Sequence, residues 1–122
     1  MQRTLLKSKL HGATITDKQL YYDGSITLDA NLLQAADLLA GEQVQVLNVN
    51  NGQRFVTYTI AAPAGSGTVM LNGPAARLGE VGDIIIVLSY ARYDETEAAN
   101  HRPVIVHADA KNRPDDGSNH QQ

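Results

Sequence analysis

The chain contains no cysteine. That absence excludes a disulfide framework, a thiolate zinc site and a cysteine nucleophile, and it makes a cytosolic setting the simplest expectation. A basic surplus is missing as well: Lys and Arg total 10 against 13 Asp and Glu, a formal charge of −3. The signs are mixed along the sequence, with no basic face or arm, so nucleic acid is not an expected partner. Long apolar runs are also lacking. The longest, Ile84 to Leu88, has only the length of a buried strand, and the opening Met-Gln-Arg-Thr has no signal-peptide pattern, so no membrane association is expected. His101, His107 and His120 lack the paired spacing of metal ligands, and no metal is assigned. No phosphate loop, nucleophile elbow or serine triad can be read either, since Gly65-Ser66-Gly67 follows Pro63 in a loop.

What is present fits a single core. For 122 residues a single core rather than two is expected, with enough surface buried for stability without staples. Residues 1–110 are expected to form one domain. The polar stretch 111–122, with Pro114, Asp115, Asp116 and Gly117, is expected to fray as a flexible tail. Arg3 to Thr16 reads as a strand with Lys7, Lys9 and His11 on one face. Asp23-Gly24-Ser25, flanked by Leu20-Tyr21-Tyr22 and Ile26-Thr27-Leu28, reads locally as a hairpin turn.

Helical spacing occurs between Ala30 and Leu39, where Leu32, Leu33, Ala36 and Leu39 make one stripe, Asp29 can cap the start and Gly41 can end it. Strands follow at Gln43 to Val49 and Arg54 to Ala61, joined through Asn51-Gly52. A short strand at Thr68 to Leu71 leads to a compact turn, Asn72-Gly73-Pro74-Ala75-Ala76, and Gly79 to Asp83 turns again. Ile84 to Leu88, apolar at every position, should be a central strand covered on both faces, and Val104 to Val106 an edge strand. Many short strands with frequent Gly turns argue for a closed β-barrel with a helical crossover.

Several side chains could carry chemistry. Lys9, His11 and Arg54 could converge on an anion, Arg gripping a carboxylate with two parallel hydrogen bonds and Lys adding a compact charge, or they could be solvated surface. Tyr58 shares a strand face with Arg54 and could deliver a proton, or serve as a cross-strand aromatic; Tyr22 is open to the same two readings. Thr57 points away from Arg54 in an ideal strand, so a shared pocket would need a bulge or barrel curvature. Asn72 and Gly73 suit a close approach to a ligand and equally suit a tight turn.

The segments Arg-Thr-Leu-Leu-Lys-Ser-Lys-Leu-His at the start, Tyr22-Asp23-Gly24-Ser25-Ile26-Thr27-Leu28-Asp29 and Asn51-Gly52-Gln53-Arg54-Phe55-Val56-Thr57-Tyr58 occur in that order. With Asn72-Gly73-Pro74-Ala75-Ala76 and Val81-Gly82-Asp83-Ile84-Ile85-Ile86, they resemble the pyruvoyl-dependent aspartate 1-decarboxylases over most of the chain. The resemblance implies a mainly β fold, a small closed six-stranded double-psi β-barrel with one or two short helices. It implies a homotetramer with active sites between subunits and L-aspartate as substrate, turned into β-alanine and carbon dioxide for pantothenate synthesis. It further implies self-cleavage between Gly24 and Ser25, with Ser25 becoming a pyruvoyl group, so that neither a metal nor pyridoxal phosphate is needed. Gly24 would tolerate a strained backbone and leave its carbonyl open to the Ser25 hydroxyl. The pyruvoyl group would bind the substrate amine as an imine and draw off electrons.

By the same resemblance Arg54 and Lys9 would bind carboxylates, Tyr58 would donate a proton, and Thr57 would assist processing. Asn72 would hold the pyruvoyl group, with Gly73 and Ala75 also touching substrate and His11 and Tyr22 lining the pocket. Two positions depart from the family: Asp23 where Glu is frequent, and Pro74 where Ala is usual, which removes a backbone N–H. The competing reading is a non-enzymatic β-barrel module that binds an anion, with Asp23-Gly24-Ser25 only a turn.

Overall fold

A computed structural model describes residues 1–115. Eight strands follow one another in hydrogen-bonded order β2-β6-β3-β5-β4-β7-β1-β8. They are β1 (Gln2–Thr14), β2 (Asp17–Gln19), β3 (Ser25–Asp29), β4 (Gln43–Asn48), β5 (Arg54–Ala62), β6 (Val69–Asn72), β7 (Ile84–Asp94) and β8 (Val104–His107). Two short helices, α1 (Ala30–Ala35) and α2 (Glu95–Ala99), and a 3-10 turn at Gly73–Leu78 complete the described elements. The class is mainly β, as expected. The six-strand count and the closure are not: β2 and β8 end the order and pair with β6 and β1 alone.

β7 lies at the centre of its half, antiparallel to β1 over almost its whole length and to β4 on its other side. It extends past the apolar run because Ser89 to Asp94 keep pairing with β1 as far as Gln2. Ile85 and Val87 are fully buried, whereas Ile84 and Ile86 are half-buried, so one face builds the core and the other is partly open rather than covered. β4 and β5 form the expected hairpin through residues 49–52, with Gly52 at φ 77° and its N–H bonded to Asn48 O at 2.9 Å.

β5 changes partner halfway along. Arg54 to Tyr58 pair antiparallel with β4, and Thr59 to Ala62 pair parallel with β3. The strand therefore stitches two sheets together.

The Asp23-Gly24-Ser25 hairpin does not form. β3 pairs with β5 and β6, and β2 pairs with β6, so long-range ladders claim the strands that the local turn signal would have joined. Helix α1 starts as expected, the Asp29 carboxylate accepting from Asn31 N at 2.8 Å. It ends earlier than the stripe suggested. Asp37 takes a left-handed conformation at φ 57°, Asp37 N bonds to Gln34 O and Leu38 N to Leu33 O, which together close a Schellman cap without glycine. Leu39 falls beyond the helix and is 75% exposed.

The C-terminal stretch departs from its expected fraying over 111–115. Asn112 is buried, and its side-chain amide bonds both the N–H and the C=O of Thr14, imitating a strand partner; it also reaches Gly67 O at 2.9 Å. The remainder of the expected tail, 116–122, lies outside the described residues.

Candidate active site

Ser25 is fully buried at the start of β3, directly opposite Asn72 on β6, while the preceding Gly24 is exposed. Ser25 Oγ donates to Asp23 O at 3.2 Å and accepts from Asn72 Nδ2 at 2.9 Å. The same Nδ2 donates to Thr27 Oγ1 at 2.8 Å, and Asn72 Oδ1 is buried with no partner. The strain expected at Gly24 sits instead at Gly73, which has φ 64° and packs so closely that an added Cβ would meet Tyr22 O and lie 2.9 Å from Gly24 N. Only glycine lets β6 turn this tightly under the 22–24 segment.

A cavity of about 350 Å³ opens beside this junction, lined by Gly24, Phe55, Val56, Thr57, Tyr58, Pro74, Ala75 and Leu78. Its position follows from the change of partner in β5. β3 first meets β5 at Ile26 and Thr59, so the edge of residues 55–58 on that side has no strand against it. The consecutive residues Phe55 to Tyr58 therefore all line the cavity along this open edge. Pro74 stands over Gly24, its Cδ 3.4 Å from where a Cβ would be, so the departure at position 74 forms a section of the wall.

The cationic residues lie elsewhere. Register aligns Lys9 with Leu88, Leu88 with Gln45, and Gln45 with Val56, three strand spacings or roughly 14 Å across the outer face. His11 occupies the same face one pair along, its ring 5.2 Å from that of His107 on β8. Burial, together with the charges of Lys9 and His107, lowers the His11 pKa. Arg54 is exposed, and its Nη1 donates to Gln45 Oε1 at 2.7 Å. Among the described residues neither Lys9 nor Arg54 has an ion pair, whereas Lys7, at a register shift in β1, is tied to Asp37 and Glu42. A neutral amide holds Arg54 without cancelling its charge.

One chain thus gathers Gly24, Ser25, Thr57, Tyr58, Asn72, Gly73 and Ala75, and sets Lys9, His11 and Arg54 apart on the outer sheet face. Tyr22 contributes its carbonyl at Gly73, while its side chain is half-exposed. Sequence reasoning missed Thr27 and Gln45. Thr27 had a readable signal, since it lies two residues past Ser25 on the same strand face. Gln45 had none, because its meeting with Arg54 depends on the hairpin register. Among the described residues no three His, Asp or Glu side chains gather as metal ligands.

Residues 1–115 match the sequence profile of the aspartate decarboxylase family. Proteins named aspartate 1-decarboxylase from Syntrophobacter fumaroxidans and Thermoanaerobacter pseudethanolicus are 56% and 55% identical, over 93% of this chain and 92% and 97% of theirs. One from Laribacter hongkongensis is 53% identical over 93% of this chain and 89% of its own. A solved structure, the rationally designed mkDPBB_sym_86 protein, aligns with a TM-score of 0.47 at 19% identity over 63% of this chain and 90% of that one, too weak a likeness to build on. The sequence relationship is not weak: the chain belongs to the aspartate decarboxylase family.

Proposed function

We propose that the chain decarboxylates L-aspartate to β-alanine and carbon dioxide, within pantothenate synthesis, after cutting its own backbone between Gly24 and Ser25. Family membership supports the reaction, and one local observation supports the cut. A buried serine hydroxyl with two hydrogen-bond partners adjoins an exposed glycine beside a cavity. Attack of Ser25 Oγ on the Gly24 carbonyl carbon would exchange the amide for an ester and free the Ser25 amine. Elimination across Ser25 Cα–Cβ would release the Gly24 carboxylate and leave dehydroalanine. Water would then convert that residue to a terminal keto group with loss of ammonia.

The donor set suits such a group, because Asn72 Nδ2 already points at the position that changes. Once formed, a pyruvoyl group supplies an electron sink for the bond to the departing carboxylate. The chain's own residues do the rest. Tyr58 and Thr57 both line the cavity, which supports a phenol that would hold or return a proton and a hydroxyl that would serve processing. Gly73 and Ala75 shape the floor, and the unpaired charges of Lys9 and Arg54 bind the substrate carboxylates, with His11 and Tyr22 at the rim.

Since Lys9 and Arg54 stand away from Ser25 within one chain, a second copy completes the site, as expected of a homotetramer with active sites between subunits. Val56, 57% exposed and two residues from Arg54 on the same face of β5, is an apolar surface that such a copy would cover. We also read the mixed parallel and antiparallel pairing as the family's double-psi winding, and the setting as cytoplasmic. No described helix is long and apolar enough to cross a membrane.

Denaturing mass analysis with a carbonyl-trapping reagent tests the proposal. Two fragments, 1–24 and a trapped 25–122, are expected. One continuous, fully active polypeptide with an ordinary serine would reject the self-cleavage, and one continuous, inactive polypeptide would leave an anion-binding module.

A further inference from the structure

The Asn72 amide is buried completely, yet only its nitrogen is engaged. One Nδ2 hydrogen goes to Ser25 Oγ and the other to Thr27 Oγ1, while Oδ1 has no donor to hold it. The amide plane is thus fixed from one side. Of its two partners, Ser25 Oγ is the atom that must react, which leaves Thr27 as the partner that stays put. Thr27 is itself anchored, its backbone paired with Ile60 of β5 and Met70 of β6. It shares a strand face with Ser25, and Asn72, directly across the ladder from Ser25, reaches both hydroxyls.

We propose that Thr27 is a positioning residue for backbone cleavage: its hydroxyl locks the Asn72 amide so that an N–H stays on Ser25 Oγ throughout the reaction. The inference rests on the cleavage reading above and deepens it. In the first step a bond forms between Oγ and the Gly24 carbonyl carbon, the Gly24 C–Ser25 N bond breaks, and the hydroxyl proton ends on the departing amine. In the second, Ser25 Cα gives up its proton to a base, Cβ–Oγ breaks, and the electron pair leaves on Oγ as a carboxylate oxygen of Gly24. Negative charge therefore gathers on Oγ when the ester breaks down, and a donor already aimed at that atom stabilises it.

Loss of the Thr27 hydroxyl would orphan the second Nδ2 hydrogen in a buried place and remove the lock. The amide would then be free to turn Oδ1 toward Oγ, where it opposes the charge.

The test follows newly made wild-type, Thr27→Val and Thr27→Ser chains by mass over time, with and without hydroxylamine. Hydroxylamine splits an ester into a 25–122 fragment that begins with intact serine and a 1–24 fragment that ends in a hydroxamate. Thr27→Val, which keeps the shape, is expected to slow formation of the pyruvoyl fragment by roughly tenfold and to accumulate hydroxylamine-cleavable chain. Thr27→Ser, which keeps the hydroxyl, is expected to restore the wild-type rate. The inference is overturned if Thr27→Val matures as fast as wild type, or if Thr27→Ser is equally slow, since the methyl would then be what matters. Should Thr27→Val fail to melt cooperatively, Thr27→Ala takes its place with the same expectations. A wild-type chain that never divides would remove the cleavage reading itself, a result distinct from both.

Discussion

The two ends of β3 receive opposite treatment. At its far end Asp29, 1% exposed, accepts from Asn31 N, Gly65 N and Gly67 N, so both carboxylate oxygens are occupied. Burial alone would raise the Asp29 pKa, but the N–H groups of Gly67, Asn31 and Gly65 outweigh it and hold the carboxyl below its ordinary range. At the near end Asn72 keeps an orphaned oxygen, Gly73 is pressed against Tyr22 O, and Ser25 abuts an exposed glycine. One terminus is saturated and serves stability. The other is left short of partners, a pattern that suits a place where bonds are to change.

The comparison can be broken by exchanging what each end loses. Ser25→Ala is expected to abolish both chain division and β-alanine formation while the melting transition persists; any wild-type turnover by that variant would show that the near end is not reactive. Arg54→Ala should leave division intact and weaken turnover severely, because it removes a carboxylate partner far from the cut; steady-state kinetics on the divided protein would show it, and unchanged constants would remove Arg54 from the site. Mixing Ser25→Ala chains with Arg54→Ala chains under reassembly should restore a fraction of the activity, as sites shared between copies require.

At the far end, Asp29→Ala should cost about 1–3 kcal/mol in denaturant unfolding with the division rate unchanged. The smallest effect is the acid dependence of that contribution. The folded pKa is depressed, so the stabilisation is complete above the unfolded value of 3.8 and is lost as pH falls through the lower folded value. Melting curves of wild type and Asp29→Asn should therefore converge in strong acid and separate towards neutrality.

Local chemistry made the regular elements legible. The Asp29 cap, the β4–β5 hairpin and the apolar run in β7 each declare themselves within a few residues, and all three are present. Where the reading failed, a distant partner overrode a local preference. Asp23-Gly24 has the form of a hairpin turn, yet β3 finds its neighbours more than 30 residues away in β5 and β6. The stripe that carried α1 to Leu39 gave no sign that Asp37 would adopt a left-handed cap.

Side-chain parity set Thr57 on the face opposite Arg54 but could not show that β5 has an open edge there, because the change of partner at Thr59 is a property of two sheets. Asn112 looked like a member of a polar tail, and only the approach of Thr14 and Gly67 gives its amide a place to bond.

The depth of β1 within the ladder has a consequence for a divided protein. β1 lies between β7 and β8 and is paired from Gln2 to Thr14. A cut after Gly24 would release no peptide: the severed 24-residue piece would remain knitted into the structure by main-chain hydrogen bonds and shared core. Unfolding would then set a pair of molecules adrift from each other, and recovery would become a second-order event, faster in concentrated solution than in dilute.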